Sequence, residues 1–290
     1  MKIALSVVLA SVLAMPAAAA TLRITVTNDT GALGSGGFAL TPLYSALHDG
    51  SFDAFDVGGT ASAGVETIAE VGNFAPVRDE RIAATTTADG TVNSQGAVFS
   101  SFTPDGRRPL FAGESDTVEV TIDDPTDRRF FTFLSMVIPT NDLFIGNDDA
   151  LELFDEAGNF VGPSSLSITG AGIYDAGTEV NQVLRDIDGN LLESGIAFAA
   201  GQNGGLGEGE AERISAGFDQ LGQFVGLETV PGFTIADTQG LFSGISAADF
   251  SVATISFEVV APVPLPAGGL MLLSALGAGG IFARRRKKQA

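Results

Sequence analysis

Two short acidic loops hold the side chains of this 290-residue chain that are best suited to bind a metal ion. Asp142 lies in the first loop, and Asp175 and Glu179 lie in the second, which reads DAGTE. Ca²⁺ takes about six to eight oxygen ligands and accepts carboxylates, backbone carbonyls and water together. Loops that converge at one end of a β-sandwich would supply such a set. An acidic rim exposed to solvent fits the same spacing, so the residues alone leave both interpretations open.

Other acidic stretches favour turns. The stretch DIDGN at residues 186–190 has glycine at its fourth position, where an EF-hand calcium loop requires it at the sixth, and its twelfth position is Ala197. Asp and Asn beside Gly between apolar segments are typical of hairpin turns. We therefore predict turns at residues 186–190 and at residues 155–159, which read DEAGN. The glycine-rich residues 201–209 predict a loop whose acidic neighbours would repel phosphate.

Catalytic chemistry has few candidate residues. The chain has no Cys and one histidine, His48, which excludes thiol nucleophiles, disulfides, cysteine-ligated zinc and two-histidine metal sites. No G-x-S-x-G sequence marks a hydrolase nucleophile, and His48 stands in HDG, which is typical of a turn. A surface hydrolase that cuts polysaccharide with paired carboxylates is a second hypothesis, since 35 acidic residues are present. The absence of Trp and the presence of only two Tyr disfavour it mildly.

The charge distribution argues against one class of partner. The chain has 15 basic and 35 acidic residues and a formal charge of −20. Nucleic-acid binding relies on basic patches, so we expect no nucleic-acid partner. All 35 acids lie in residues 21–260 with nine arginines and no lysine, which gives this segment a formal charge near −26. The other basic residues lie at the two ends of the chain.

Alternating apolar and polar residues predict the strands that must position the acidic loops. Residues 22–27, 117–122 and 253–259 each alternate with a period of two, the pattern of a strand with one face in the core and one in water. Residues 130–138 (FFTFLSMVI) are apolar on both faces and predict a central strand. The first and last of these strands bracket the domain, and we expect one sandwich to enclose both.

Helix signals are few. Val65, Ile68 and Ala69 have the i, i+3, i+4 spacing of an amphipathic helix, so we expect one short helix within residues 62–71. The glycine content, 37 of 290 residues, also suits a loop-rich β protein. The predicted fold is therefore an all-β antiparallel sandwich with long loops and one or two short helices, formed by residues 21–260.

Both ends of the chain have sequences typical of targeting signals. Residues 1–20 combine Lys2, an apolar stretch too short to span a bilayer comfortably and small residues before Thr21, which is the pattern of a signal peptide. We predict export and a mature chain that begins near Thr21. Residues 261–290 contain a proline-rich spacer, an uncharged stretch just long enough for a thin or strained membrane crossing, and a basic tail. The basic tail predicts a cytoplasmic C-terminal end.

The C-terminal segment resembles a known sorting signal. VPLPA at residues 263–267, a helix rich in Gly, Leu and Ala, and a final Arg/Lys cluster resemble the VPLPA-CTERM variant of the PEP-CTERM signals. Exosortase-type sorting enzymes of Gram-negative bacteria read these signals. The resemblance implies a transient membrane anchor, processing by such an enzyme, and delivery to the cell surface or an extracellular matrix.

The acidic loops resemble those of the spondin N-terminal domain family, which includes F-spondin and mindin. PTNDLFIG at residues 139–146 is similar to the family's PSPDWFVG, and DAGTE at residues 175–179 is similar to its DAGTD. Residues 48–72 resemble the N-terminal part of bacterial members. The likeness extends from about residue 21 past residue 181.

The resemblance implies a β-sandwich of about eight core strands with bound Ca²⁺ and a non-enzymatic role in adhesion and matrix binding. Carried over by position, the ligands would be Asp142, Asp175 and Glu179. Glu179 replaces the family's usual Asp and lengthens the side chain, and Leu143 replaces Trp. The expected partners are Ca²⁺ and an unidentified extracellular matrix or polysaccharide ligand.

Overall fold

The computed structural model describes residues 19–85, 91–93, 109–179, 213–227 and 234–260. The strands in these ranges are β1 (Ala20–Asn28), β2 (Ala39–Leu40), β3 (Tyr44–His48), β4 (Thr91–Asn93), β5 (Ser115–Ile122), β6 (Phe130–Ile138), β7 (Leu143–Gly146), β8 (Leu151–Glu152), β9 (Ser165–Thr169), β10 (Ile173–Asp175), β11 (Ser215–Ala216) and β12 (Ser251–Val260). The helices are α1 (Ala63–Val71), α2 (Ala75–Ala84) and the 3₁₀ helices Gly170–Gly172, Phe218–Phe224 and Leu241–Ser243.

The first sheet has four strands in the order β5-β1-β12-β9. Its strands are the alternating segments of the sequence, because every second side chain of β1, at Leu22, Ile24 and Val26, is buried in the core. The outward face is polar, and Arg23 of β1 bridges Glu119 of β5 and Glu258 of β12. The prediction that one sandwich encloses the first and last strands is confirmed, since β1 and β12 are its two inner strands.

The second sheet runs in the order β11-β10-β7-β6-β3-β4, with β2 and β8 also paired to β6. The prediction of a central strand at residues 130–138 is confirmed, because β6 lies between β7 and β3 and is buried at every position after Phe130. In the first sheet, β1 pairs antiparallel with β5, and β12 pairs antiparallel with β9. In the second sheet, β6 pairs antiparallel with β3 and β7, and β7 pairs antiparallel with β10. The all-β antiparallel sandwich is therefore confirmed.

Two apolar clusters explain why β6 is apolar on both faces. Phe131 and Phe133 pack into the core between the two sheets, where Phe131 meets Phe257 of β12 edge to face. Leu134, which points the other way, packs with Val65 and Ile68 of α1. The second sheet is thus covered by the first sheet on one side and by the helices on the other.

Helix α1 is the predicted short helix. Ser62 caps its first turn by accepting a hydrogen bond from the Val65 N–H, and Gly72 ends it in the left-handed conformation at φ 66°. Helix α2 follows after three residues and was not predicted, because only Val77 and Arg81 of its side chains are buried and no apolar stripe marks it. The Glu80 carboxylate ties α2 to α1 through the Ser62 hydroxyl and the Gly64 N–H, both at 2.8 Å.

The turn predicted at residues 155–159 is confirmed. Asp155 Oδ1 accepts hydrogen bonds from the N–H groups of Ala157 at 2.9 Å and Asn159 at 2.8 Å. Gly158 adopts φ 79°, a conformation that residues with a Cβ rarely adopt. Phe154 and Phe160 flank this turn as an antiparallel bridge.

Other predictions fall on residues that the structure does not describe. The predicted signal peptide lies almost entirely in residues 1–18, and the predicted spacer, helix and basic tail lie in residues 261–290. The loops predicted at residues 186–190 and 201–209 lie outside the described ranges as well. The domain boundaries at residues 20 and 260 stay predictions. In the described part of the chain, no helix combines the length and the apolar character needed to cross a membrane.

Candidate metal centre

Strand pairing brings the two acidic loops together. Strands β7 and β10 pair antiparallel with Leu143 opposite Asp175. Asp142 directly precedes Leu143, so it lies beside Asp175 at the same end of the two strands. The chain turns back after Asp175, and the Ala176 N–H donates to the Asp142 carbonyl oxygen at 3.2 Å.

The second loop closes around the Asp142 carboxylate. Asp142 Oδ2 accepts hydrogen bonds from the backbone N–H groups of Thr178 and Glu179, both at 3.1 Å. The other oxygen, Oδ1, is buried and has no hydrogen-bond donor among the described residues. Asp142 is fully buried, and the relative solvent exposure of Asp175 and Glu179 is only 4% and 7%. Three acidic side chains are therefore largely removed from water at one end of the sandwich.

Asp175 is fixed in place from two sides. Its Oδ1 accepts a hydrogen bond of 2.8 Å from the Gly177 N–H, and Gly177 takes φ 67°, which glycine adopts without strain. Its Oδ2 accepts a hydrogen bond from Gln220 Nε2. Gln220 lies on the 3₁₀ helix Phe218–Phe224, far along the chain from either acidic loop.

Burial and mutual repulsion raise the pKa of Asp142 to about 7. Burial is the largest cause, followed by the negative charge of Asp175. The N–H groups of Glu179 and Thr178 act in the opposite direction and lower the pKa, while the charge of Glu179 raises it further. The charges of Asp175 and Glu179 both act on Asp142, and the Glu179 N–H donates to its carboxylate, so the structure places both of the other predicted acids near Asp142.

The donor set of this cluster fits Ca²⁺ chemically. A buried carboxylate oxygen without a donor is an acceptor for which a cation is the natural partner, and repulsion among carboxylates is what a dication relieves. As it stands, however, no group of three or more Asp, Glu, His or Cys side chains among the described residues is arranged to hold a metal ion. A bound ion would therefore need small side-chain adjustments or oxygen ligands other than carboxylates.

Two further acidic residues, Asp148 and Asp149, lie at the other end of β7. The far end of β7, at Gly146, is about 13 Å along the strand from Asp142, and Asp148 and Asp149 follow this far end. Asp148 Oδ1 accepts a hydrogen bond from the Val57 N–H at 3.0 Å. The pKa of Asp53 is raised by burial first, then by the charge of Asp56, and to a smaller extent by Asp148 and Asp149. These residues therefore form a separate group and belong to no site with Asp142.

Sequence reasoning missed Gln220. Its segment, FDQLGQF, carries no charge pattern or motif that points to a site, and only the fold places its amide on Asp175. His48, the one histidine, is at the end of β3 opposite Phe130, at the start of β6, whereas the acid cluster follows the end of β6. It therefore lies apart from the acid cluster.

Comparison with known protein families gives one match. The family model described as Spondin_N matches residues 37–183, just over half of the chain and a range that contains all three acids of the cluster. No curated protein matches the chain.

Proposed function

The chain belongs to the Spondin_N family, and from this membership and the buried acid cluster we propose that it is an exported, non-enzymatic domain that binds Ca²⁺ and acts in adhesion or in an extracellular matrix or biofilm. Spondin domains are typically extracellular. The observation that carries the calcium proposal is Asp142, whose buried Oδ1 has no donor among the described residues while Asp175 and Glu179 repel its charge.

Asp142, Asp175 and Glu179 would hold the ion, with backbone carbonyls and water to complete its shell. The ion would supply positive charge to a place where three carboxylates are buried together. The loops after β6 and β10 would then be held in one arrangement, and this end of the sandwich would present a fixed surface to a matrix or polysaccharide ligand. Because the ion binds the folded chain, it would also stabilise the fold by mass action.

Calorimetry with and without Ca²⁺ tests this proposal. We expect the melting temperature of the protein to rise by several degrees in 1 mM Ca²⁺ relative to excess chelator, since a ligand at about 100 times its Kd adds about 2.7 kcal/mol. The variant Asp175→Ala should lose most of that rise. Equal melting temperatures of the unaltered protein in Ca²⁺ and in chelator would defeat the calcium proposal.

The targeting part of the proposal rests on the sequence of the two ends. A signal peptide at residues 1–20 and a VPLPA-CTERM signal within residues 261–290 would carry the chain across the inner membrane of a Gram-negative bacterium and then to the surface. The anchor helix would hold it in the membrane until an exosortase-type enzyme processes the signal. Mass spectrometry of the surface protein should find an N-terminus near Thr21 and no intact basic tail; a retained Met1 or an intact tail would contradict it.

One observation favours a second candidate, a surface hydrolase that acts on polysaccharide. A glycosidase needs a carboxylic acid with a raised pKa and a second carboxyl group near it, and Asp142, with a pKa of about 7 and Asp175 beside it, has that character. The complete burial of Asp142 counts against it, since a glycosidic oxygen must reach the acid. Release of reducing sugar from polysaccharide that is lost in Asp142→Asn would favour the hydrolase.

A further inference from the structure

We propose that Gln220 belongs to the same ion site, where its side-chain oxygen is a further ligand of the bound divalent cation and its Nε2 positions Asp175. This inference rests on the proposed calcium function and adds to it a residue outside the acidic loops. Asn and Gln side-chain oxygens are ordinary ligands of Ca²⁺, which needs more oxygens than three side chains provide.

The contact between Gln220 and Asp175 is the first step. Gln220 Nε2 donates a hydrogen bond to Asp175 Oδ2, and hydrogen bonds to a carboxylate are stronger than those between neutral groups. This bond fixes the plane of the Gln220 amide against one of the predicted ligands. The amide oxygen is bonded to the same carbon as Nε2, so it lies near the Asp175 carboxylate.

The second step is the environment of that oxygen. Gln220 Oε1 is buried and has no hydrogen-bond donor among the described residues, and the same is true of Asp142 Oδ1. Buried acceptors of this kind are normally satisfied. Asp142 directly precedes Leu143, which pairs with Asp175, and Gln220 donates a hydrogen bond to Asp175, so both unsatisfied oxygens belong to side chains that neighbour Asp175. A single cation between them would satisfy both and relieve the repulsion of the acids.

The fold fixes the position of Gln220. Strand β11 pairs with β10 with Ser215 opposite Asp175, and the Gly217 N–H donates to the Ile173 carbonyl oxygen at 2.9 Å. A Cβ on Gly217 would lie 3.0 Å from the Tyr174 carbonyl carbon, so only glycine allows this close approach. Leu221 and Phe224, on the same 3₁₀ helix as Gln220, are buried in the core between the sheets.

The segment that carries Gln220 lies beyond the residues matched by the family model, which end at 183. The acids of the site come from inside the matched range and the amide from outside it. A neutral ligand also adds an oxygen without adding charge, which suits a site that already contains three carboxylates.

Isothermal titration with CaCl₂ on the full protein tests the proposal with Gln220→Met, which keeps the length and lack of branching of the side chain but removes the amide. We expect Kd for Ca²⁺ to rise by about 10- to 100-fold, the usual effect of losing a ligand or its supporting group. Gln223→Met is the matched control, because Gln223 is exposed on the same 3₁₀ helix. Its Kd should stay within about twofold of the original value.

Melting temperatures in Ca²⁺ and in chelator separate an ion-site role from a structural one. If Gln220 is a ligand of the ion, Gln220→Met should reduce the rise in melting temperature that Ca²⁺ causes, with little change in chelator. Equal losses in both conditions with an unchanged Kd would overturn the proposal. Gln220→Glu restores an oxygen ligand, so it should bind Ca²⁺ at least as tightly as the original protein yet melt lower in chelator. Gln220→Glu with a Kd as weak as that of Gln220→Met would also overturn it.

The two proposals fail in different ways. Absence of any Ca²⁺ binding by the unaltered protein defeats the calcium function itself. Binding by the unaltered protein that Gln220→Met leaves unchanged defeats only the assignment of Gln220.

Discussion

At the scale of single residues, His48 shows how burial fixes a protonation state. It is fully buried, its Nδ1 accepts a hydrogen bond of 3.1 Å from the Gly50 N–H, and its Nε2 lies 3.0 Å from Thr132 Oγ1. Because Nδ1 is an acceptor, the neutral ring must carry its proton on Nε2 and donate to Thr132. The sequence predicted a turn or cap histidine, and its bond from Gly50 across HDG confirms that role.

We expect His48 to make the fold sensitive to acid. Its pKa is lowered to about 4, mainly by burial; the charge of Asp49 acts in the opposite direction, and the charge of Arg81 adds to the lowering. An unfolded histidine titrates near 6.5, so the unfolded chain binds more protons between these values. The stability that neutral His48 contributes is complete above about pH 6.5 and is lost as the pH falls towards 4, by about 3 kcal/mol in all.

Urea unfolding from pH 7.5 to 4 checks this with His48→Asn, whose side-chain oxygen can still accept from the Gly50 N–H. The difference in unfolding free energy between the two proteins should shrink as the pH falls. A constant difference across that range would contradict the prediction.

Asp142 has the opposite dependence on pH. Its pKa is about 7 in the fold and near 3.8 when unfolded, so protonation stabilises the ion-free protein below pH 7 and that contribution is lost as the pH rises through 7. Ca²⁺ needs the ionised carboxylate and should displace the proton. Titration calorimetry at pH 6 in two buffers of different ionisation enthalpy should show release of about one proton for each Ca²⁺ bound. Binding without proton release would exclude a protonated Asp142.

At the scale of elements, the contact between α1 and α2 depends on one glycine. A Cβ on Gly64 would lie 2.4 Å from Glu80 Oε2 and 2.6 Å from Val77 Cα. These helices cover the side of the second sheet that faces away from the first, so their spacing decides how Val65 and Val77 pack.

Gly64→Ala should therefore destabilise the protein by about 1–2 kcal/mol, although alanine is the better helix former by about 1 kcal/mol. The overlap with the Val77 backbone forces α2 to move and weakens the bond between Glu80 and the Gly64 N–H. Gly222→Ala is the control, because no heavy atom lies within 4 Å of a Cβ there. Urea unfolding curves give both values. A Gly64→Ala variant that is at least as stable as the original protein would show that α2 can move away without loss of stability, and it would contradict the prediction.

At the scale of the whole molecule, the region between the two predicted targeting segments is strongly acidic. Residues 21–260 contain all 35 acids and nine arginines. On the outward face of the first sheet, hydroxyl groups pair across strands, as Thr25 does with Thr117 at 2.9 Å. Arg23 lies on the same face and offsets the charge of Glu119. At Asp142, burial and then the charges of Asp175 and Glu179 raise the pKa, so repulsion among acids acts at this end of the sandwich.

We expect this repulsion to make stability depend on salt. In chelator at pH 7, NaCl raised from about 0.02 M to 0.3 M should increase the melting temperature by about 2–5 °C, because shorter screening lengths weaken repulsion among like charges. The increase should shrink near pH 4.5, where many carboxylates are protonated. A melting temperature that falls with NaCl at pH 7 would contradict this.

Several local features of this protein follow from its amino-acid pattern alone. The alternation in β1, β5 and β12 and the apolar run of β6 predict strands because side chains of a strand point to opposite faces at every second residue. The acids Asp142, Asp175 and Glu179 were predicted as metal ligands from short motifs that are contiguous in the chain. Helix α2 was not predicted, because a contact that holds it, between Glu80 and the start of α1, joins residues that are distant in the sequence.

The residues that surround those acids depend on the tertiary structure. Pairing of β7 with β10 places Asp142 beside Asp175, and burial raises the pKa of Asp142. The return of the chain at β11 brings in Gln220 from a segment with no motif of its own. A strand is specified by its own side chains, whereas the burial and charge of a site depend on residues that only folding brings into contact.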